Sequence, residues 1–239
     1  MKCAVIVLPG SNCDRDIAVA LQKTSGKKVS MIWHKETKIP NLDLIVIPGG
    51  FSYGDYLRSG AMAAHSPVIR EVIKHAKKGA LVLGICNGFQ ILTESGLLPG
   101  VLLKNASLKF ICRHVHLRVE NTNSAFTGGY KKKQTVKIPI AHGDGNYFIN
   151  TKGIKEIEEN EQIAFRYCSD QGKINSESNP NGSLMNIAGV LNRDKNVLGM
   201  MPHPERVVDE STGGTAVSYT HLRAHETLRY LVCRLLLEK

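Results

Sequence analysis

The segment Gly84-Ile85-Cys86-Asn87-Gly88 sets a thiol between glycines, and it is the part of the sequence best suited to covalent chemistry. An apolar run over residues 80–85 precedes it and helical spacing follows. It therefore reads as a strand-to-helix turn with a nucleophile at its apex, Cys standing where many hydrolases carry Ser. Glycines on both sides permit the tight turn and leave the sulfur uncrowded. At the start of the following helix, the dipole and free N–H groups favour a thiolate. The Asn87 N–H would face a developing oxyanion. Taken alone, the same residues also fit a small apolar side chain buried at a strand end.

A nucleophile needs a base and a group to orient that base. Met201-Pro202-His203-Pro204-Glu205 offers both. Proline disfavours helix for the residue before it, so His203 should be extended. Side chains two apart then share a face, and the Glu205 carboxylate could fix the imidazole tautomer. A surface turn carrying two unrelated polar residues is the alternative for this segment alone. A third segment, Pro48-Gly49-Gly50-Phe51-Ser52-Tyr53-Gly54-Asp55, lets backbone N–H groups come close to a developing negative charge. Gly50 is the candidate second oxyanion donor. A phosphate loop is the competing reading, but neither GxxxxGK[ST] nor GxGxxG is present.

The elements that must position these residues alternate between β and α in the first half. Residues 2–8, 29–33, 42–47 and 80–85 read as strands, and 14–24, 68–78 and 88–94 as helices. Such alternation implies an α/β fold, a mostly parallel sheet flanked by crossover helices. Ligands bind at the carboxyl ends of such strands, which points to the loops over residues 48–60 and 85–88. In the second half, residues 115–120, 135–140, 163–167, 187–191 and 197–200 are strand-like and separated by Gly/Asn/Asp turns. They predict an antiparallel extension packed on the first sheet within the same domain.

With 42% hydrophobic and 22% charged residues the chain is globular rather than disordered. The net charge of +10 raises nucleic-acid binding. The basic residues are scattered, however, only the lysines at 131–133 form a run, and no aromatic–basic interleaving is visible. No nucleic-acid partner is expected. The N-terminal apolar run ends at Pro9-Gly10, too short for a signal segment or a membrane span, so a cytoplasmic protein with no membrane association is expected. The six cysteines form no CxxC pair and are expected as thiols. Cys13, Cys112 and Cys168 read as structural. His114 and His116 share a strand face near Cys112, but two ligands fall short of a closed metal site, and no metal is expected.

PGGFSYGD, GICNGFQ and PHPE, in that order, resemble the class I glutamine amidotransferases. PGSNCDRD at 9–16, GGFSYGDYLRSGA at 49–61, FICRHVHLRVEN at 110–121 and IAHGDG at 140–145 narrow the resemblance to the glutaminase subunits of phosphoribosylformylglycinamidine synthase, an enzyme of purine biosynthesis. The resemblance implies a flavodoxin-like sheet and a Cys86-His203-Glu205 triad. It implies oxyanion donors at Gly50 and Asn87, and a glutamine pocket involving Gln90, Phe51, His142 and Gly143. His142 is a second candidate base, ranked below His203 because no carboxylate is as clearly placed to orient it. The implied reaction hydrolyses L-glutamine through a thioester and passes ammonia to a large synthetase subunit, beside a small third subunit. No cofactor is implied for this chain; ATP and Mg are used by the synthetase. The resemblance covers residues 1–215, expected to form one amidotransferase domain. Residues 216–239 depart from the family pattern and read as a non-native tail, although Leu228, Leu231, Val232, Leu235 and Leu236 make an apolar helical stripe.

Overall fold

The structure, a computed structural model, describes residues 1–208. The expectations for residues 216–239 lie outside the described residues.

The parallel half is built as the alternation predicts. Strand β1 (Cys3–Val7) leads through residues 8–13 to helix α1 (Asp14–Ser25), and β2 (Ser30–Trp33) and β3 (Leu44–Ile47) follow. Acidic residues Asp14 and Asp16 favour the first turn of α1, and Gly26 ends it in the left-handed region at φ 64°. A short helix α2 (Ala61–Ala64) precedes α3 (Pro67–Lys77), which starts with Pro at a position where its missing N–H costs nothing. Then come β4 (Leu81–Ile85) and α4 (Asn87–Glu94). β1, β3 and β4 are buried along nearly their whole length, as strands covered by helices on both faces must be.

The second half holds β5 (Val101–Leu103), β6 (Ile111–Val119), β7 (Thr135–His142), β8 (Asn146–Phe148), α5 (Thr151–Glu159), β9 (Ile163–Cys168), β10 (Ile187–Leu191) and β11 (Val197–Met200). One nine-stranded sheet runs in the order β2-β1-β3-β4-β11-β10-β9-β6-β7, and β5 pairs with β8 apart from it. The strands β2, β1, β3, β4 and β11 are mutually parallel, in the flavodoxin-like order. From β11 through β10, β9 and β6 to β7 every pairing is antiparallel. The antiparallel extension is therefore not a layer packed on the first sheet; it joins that sheet as its hydrogen-bonded continuation, curled so that β7 comes back to the carboxyl end of β4. The reason is β11, which returns beside β4 in parallel and gives the rest of the chain an edge on which to pair. β5, β8 and α5 were not legible from spacing. Pro139 falls in β7, an edge strand, where its missing N–H breaks no ladder.

Helix α4 lies directly against the sheet because glycines remove what would hold it off. A Cβ on Gly88 would stand 2.0 Å from the Ile47 carbonyl oxygen, and one on Gly199 would stand 2.1 Å from the Phe89 ring. Phe89, Ile91 and Leu92 of α4 are fully buried. Each contributes roughly 1.5–3 kcal/mol of apolar burial, which anchors the helix whose first residue follows Cys86.

Candidate active site

The strand order reverses between β1 and β3, and the loops leaving their carboxyl ends interlock there. Cys13 N–H donates to the Gly49 carbonyl at 3.2 Å, Phe51 N–H to Gly10 O at 2.8 Å, and Tyr53 N–H to Pro9 O at 2.7 Å. Gly50, at φ 142°, has no room for a side chain, since a Cβ would lie 2.5 Å from both Asn12 N and Gly10 O. The PGG segment is thus a backbone surface laid against the β1 loop.

Cys86 stands at the end of β4 with φ 51° and ψ −107°. A non-glycine residue held there stores on the order of 1–3 kcal/mol of strain, the mark of a nucleophile elbow. Its N–H donates to Met200 O at 2.8 Å, which ties the elbow to β11, and its thiol points to Ala141 O at 3.7 Å. Neither Gly50 N–H nor Asn87 N–H has an acceptor among the described residues, so both expected oxyanion donors are open.

His203 and Glu205 follow β11 and are buried. The His203 N–H donates to Pro139 O at 2.8 Å, and Nδ1 meets Glu205 Oε1 at 2.7 Å. The imidazole and Cys86 meet over the bare Cα of Gly49: a Cβ there would lie 2.8 Å from His203 Cε1 and 3.3 Å from Cys86 Cβ. Burial works against a charged His203, but the facing Cys86 and Glu205, with a further contribution from Cys13, outweigh it and hold its pKa well above the usual histidine range. An imidazolium beside a sulfur is what an activated thiol requires.

The remaining expected residues have different surroundings. The Gln90 side-chain amide is committed within the protein, with Nε2 donating to Asp144 O at 2.6 Å and Oε1 accepting from Asn87 Nδ2 at 2.8 Å. It ties the elbow to the 143–145 loop. Phe51 is half exposed and lies 6.4 Å, centroid to centroid, from Phe110, forming a rim together with Gly143, whose missing Cβ would lie 3.9 Å from Phe110.

His142 is 2% exposed, and its Nδ1 lies 3.0 Å from Asn105 Oδ1. Asn105 Nδ2 donates to the carbonyls of Lys109 and His142, so Oδ1 must accept from Nδ1–H. The Nε2 lone pair is buried without a partner. Burial, then the charge of His203, push the His142 pKa down to about 4. The nearby Asp144 does not orient it, because that carboxylate accepts from Ser59 Oγ at 2.9 Å.

Sequence spacing missed Asp55, Asp144, Asn105 and the site role of Cys13. Burial raises the Asp55 carboxyl above its ordinary value, Asp144 adds to this, and hydrogen bonds from Ser59, Gly60 and Asn87 oppose it. Among the described residues, the three metal-capable side chains that cluster are Cys13, His203 and Glu205, not His114 and His116. Cys112, expected as a structural thiol, is exposed. Among the described residues no helix is long and apolar enough to cross a membrane.

Residues 1–221 match the family model of the CobB/CobQ-like glutamine amidotransferase domain. The phosphoribosylformylglycinamidine synthase subunit PurQ of Zymomonas mobilis subsp. mobilis is 56% identical over 215 residues, 90% of this chain and 93% of that protein. The subunit of the same name from Acaryochloris marina is 54% identical over 215 residues, 90% and 92% of the two chains. A chain in the solved structure of PurLQS from Thermotoga maritima superposes with a TM-score of 0.83 at 44% identity, over 95% of this chain and 98% of that one. A glutamine amidotransferase from Thermotoga maritima, with a TM-score of 0.60 at 15% identity over 94% and 95% of the chains, shares the fold alone. By family match and by relatives along nine-tenths of its length, the chain belongs to the class I glutamine amidotransferases, in the family of phosphoribosylformylglycinamidine synthase PurQ subunits.

Proposed function

We propose that this chain hydrolyses L-glutamine to glutamate and ammonia as the glutaminase subunit of phosphoribosylformylglycinamidine synthase. The observation that carries the reading is the buried His203–Glu205 pair meeting the strained Cys86 across Gly49. The Cys86 thiolate attacks the side-chain carboxamide carbon. The oxyanion that forms is held by the N–H groups of Gly50 and Asn87. The carbon–nitrogen bond then breaks, and His203 gives its proton to the leaving nitrogen as ammonia departs. The thioester remains. Water, deprotonated by His203, attacks it and releases glutamate and the Cys86 thiolate. Glu205 keeps the His203 tautomer fixed and stabilises its charged form.

Asp55 and Asp144, which converge on Ser59 beside Gln90, supply negative charge for the substrate's α-ammonium group. Phe51, Phe110 and Gly143 form the rim of the pocket. His142 Nε2, neutral and a lone-pair acceptor, is suited to receive an N–H of the carboxamide. It is not the base, because no carboxylate supports its charged form. Ammonia passes to a large synthetase subunit that uses ATP and Mg to convert formylglycinamide ribonucleotide to formylglycinamidine ribonucleotide, in an assembly with a small third subunit in the cytoplasm.

The test is the Cys86→Ala variant assembled with the synthetase. Glutamine-dependent synthesis is expected to vanish while synthesis from free ammonia persists. Retained glutamine use would sink the assignment. A glutamine-like affinity label should add once, and peptide mapping should place it on Cys86.

A further inference from the structure

Cys13 reads from sequence as a structural thiol, yet the fold places it against the catalytic histidine. Its N–H is bound to the Gly49 carbonyl, and its side chain makes no capping bond to α1, so the sulfur is free to face the site. Sγ would stand 3.5 Å from a Cβ on Gly49, the same point that lies 2.8 Å from His203 Cε1 and 3.3 Å from Cys86 Cβ. The sulfur, a ring nitrogen of His203 and a carboxylate oxygen of Glu205 all lie within 4.8 Å of one another, and all three residues are buried. Arg206, next in sequence to Glu205, donates an N–H to Cys13 Sγ at 3.3 Å. His203 Nε2 has no conventional hydrogen-bond partner.

We propose that Cys13 is a positioning residue for His203, a second sulfur that fixes the imidazole opposite the nucleophile and is itself held by Arg206. The inference rests on the reading of this site as a glutaminase. One hydrogen bond from Nδ1 to Glu205 leaves the ring free to rock about that axis. The base must move its proton between Cys86 and the departing nitrogen, so its arc has to be short and defined. A sulfur is bulky enough to limit the arc, and as a weak hydrogen-bond partner it does not hold the proton back from the leaving group. A hydroxyl there would bind Nε2 more strongly, and a methyl group would leave the ring loose. Arg206 closes the arrangement by binding the same sulfur from the segment that carries His203 and Glu205. The β1 loop and the base are thereby coupled.

The groups facing His203 are Cys86 from the elbow, Glu205 and Arg206 from its own segment, Cys13 from the β1 loop and His142 from β7. Glu205, Cys86 and Cys13 favour its charged form, and His142 stays neutral above pH of about 4. Removing the Cys13 sulfur therefore lowers the pH at which the imidazolium loses its proton.

The experiment uses the assembled synthase carrying Cys13→Ala and, separately, Arg206→Met, with glutamate release measured across pH. The expected result is a fall in kcat of about tenfold or more, the scale of a misplaced catalytic group, with KM for glutamine unchanged. Cys13→Ala should move the alkaline limb of kcat/KM to lower pH. Arg206→Met, which also removes a cation, should lower kcat without that shift, and ammonia-dependent synthesis should persist in both. Arg206 is on the surface, so its variant keeps the test open should Cys13→Ala fail to fold. An unmoved pH profile in Cys13→Ala, or a kcat in Arg206→Met that is intact or falls only with the melting temperature, overturns the proposal. Wild type and Cys86→Ala measured alongside separate the two readings. If wild type releases no glutamate, the glutaminase assignment itself fails; if Cys86→Ala still hydrolyses glutamine, the reading of Cys86 as nucleophile fails. If Cys86→Ala is dead while Cys13→Ala and Arg206→Met behave as wild type, only the role of Cys13 fails.

Discussion

Acidification should destabilise this protein through His142 before its exposed carboxylates matter. The ring is 2% exposed, its Nδ1 is bound to Asn105 and its Nε2 has no partner, so a second proton would place an unpaired charge in a closed site. Its pKa is down to about 4, against an ordinary value of about 6.5 in the unfolded chain. Between those values the unfolded state binds the proton and the folded state does not. Stability therefore rises with pH through that window and falls as pH drops. Each pH unit between the two values is worth about 1.4 kcal/mol, so about 3 kcal/mol is lost in total between pH 6.5 and 4. Urea unfolding at several pH values in this window measures the slope directly. The control is His142→Gln, which keeps an amide N–H for Asn105 and removes the titration. Its absolute stability will differ, so the comparison is of slopes: steep in the wild type, shallower in the variant by about one proton. Equal slopes would refute both the burial argument and the neutral tautomer assigned to His142.

Three further outcomes follow from the same geometry. Glu205→Gln should leave the chain folded but lower kcat by about a hundredfold or more, the range of general acid–base contributions, and move the alkaline limb of the pH profile downward as the imidazolium loses its carboxylate. Gly88→Ala would push a Cβ into the Ile47 carbonyl at 2.0 Å; thermal unfolding should show a loss at or above the upper end of the roughly 1–3 kcal/mol typical of overpacking, and a melting temperature equal to wild type would refute the close approach. Asp144→Asn should raise KM for glutamine about tenfold or more with little change in kcat, as loss of a hydrogen bond to a charged group predicts; steady-state kinetics decides, and an unchanged KM would remove Asp144 from substrate recognition.

The parts of the site that sequence reveals are those whose chemistry is contiguous. Gly84 to Gly88 carries the proposed nucleophile, its turn and its helix start in one segment, and His203-Pro204-Glu205 carries the proposed base and orienter two residues apart. β4, β10 and β11 were legible for a similar reason, as short apolar runs bounded by turn residues. Cys13 was read as structural because its neighbours in the chain say nothing of His203, 190 positions away. That contact exists only because β1 lies beside β3 and the two loops lock at the strand-order reversal. Asn105 likewise reaches His142 across long sequence separation, and its role is visible only once its amide is seen to bridge two carbonyls and a ring. Gln90 shows the opposite limit. The family resemblance implies that it is a pocket residue, but only the structure shows both ends of its amide committed to protein partners.

In the proposed mechanism the antiparallel half of the sheet helps to position the catalytic residues. β11 pairs with β4 in register Gly84 with Gly199 and Ile85 with Met200, and this register delivers Cys86 N–H to Met200 O and brings His203 to the nucleophile's side. β7, five strands from β4 in the same sheet, bends its carboxyl end back over the site, where Pro139 O accepts from His203 N–H and Ala141 O faces the Cys86 thiol. Pro139 and Ala141 stand two apart, so one strand edge serves base and nucleophile together. A one-residue slip of β7 would turn that edge away and withdraw both carbonyls at once. Because β6 holds β7 over eight consecutive residue pairs, the placement of the base depends on pairing far from the elbow.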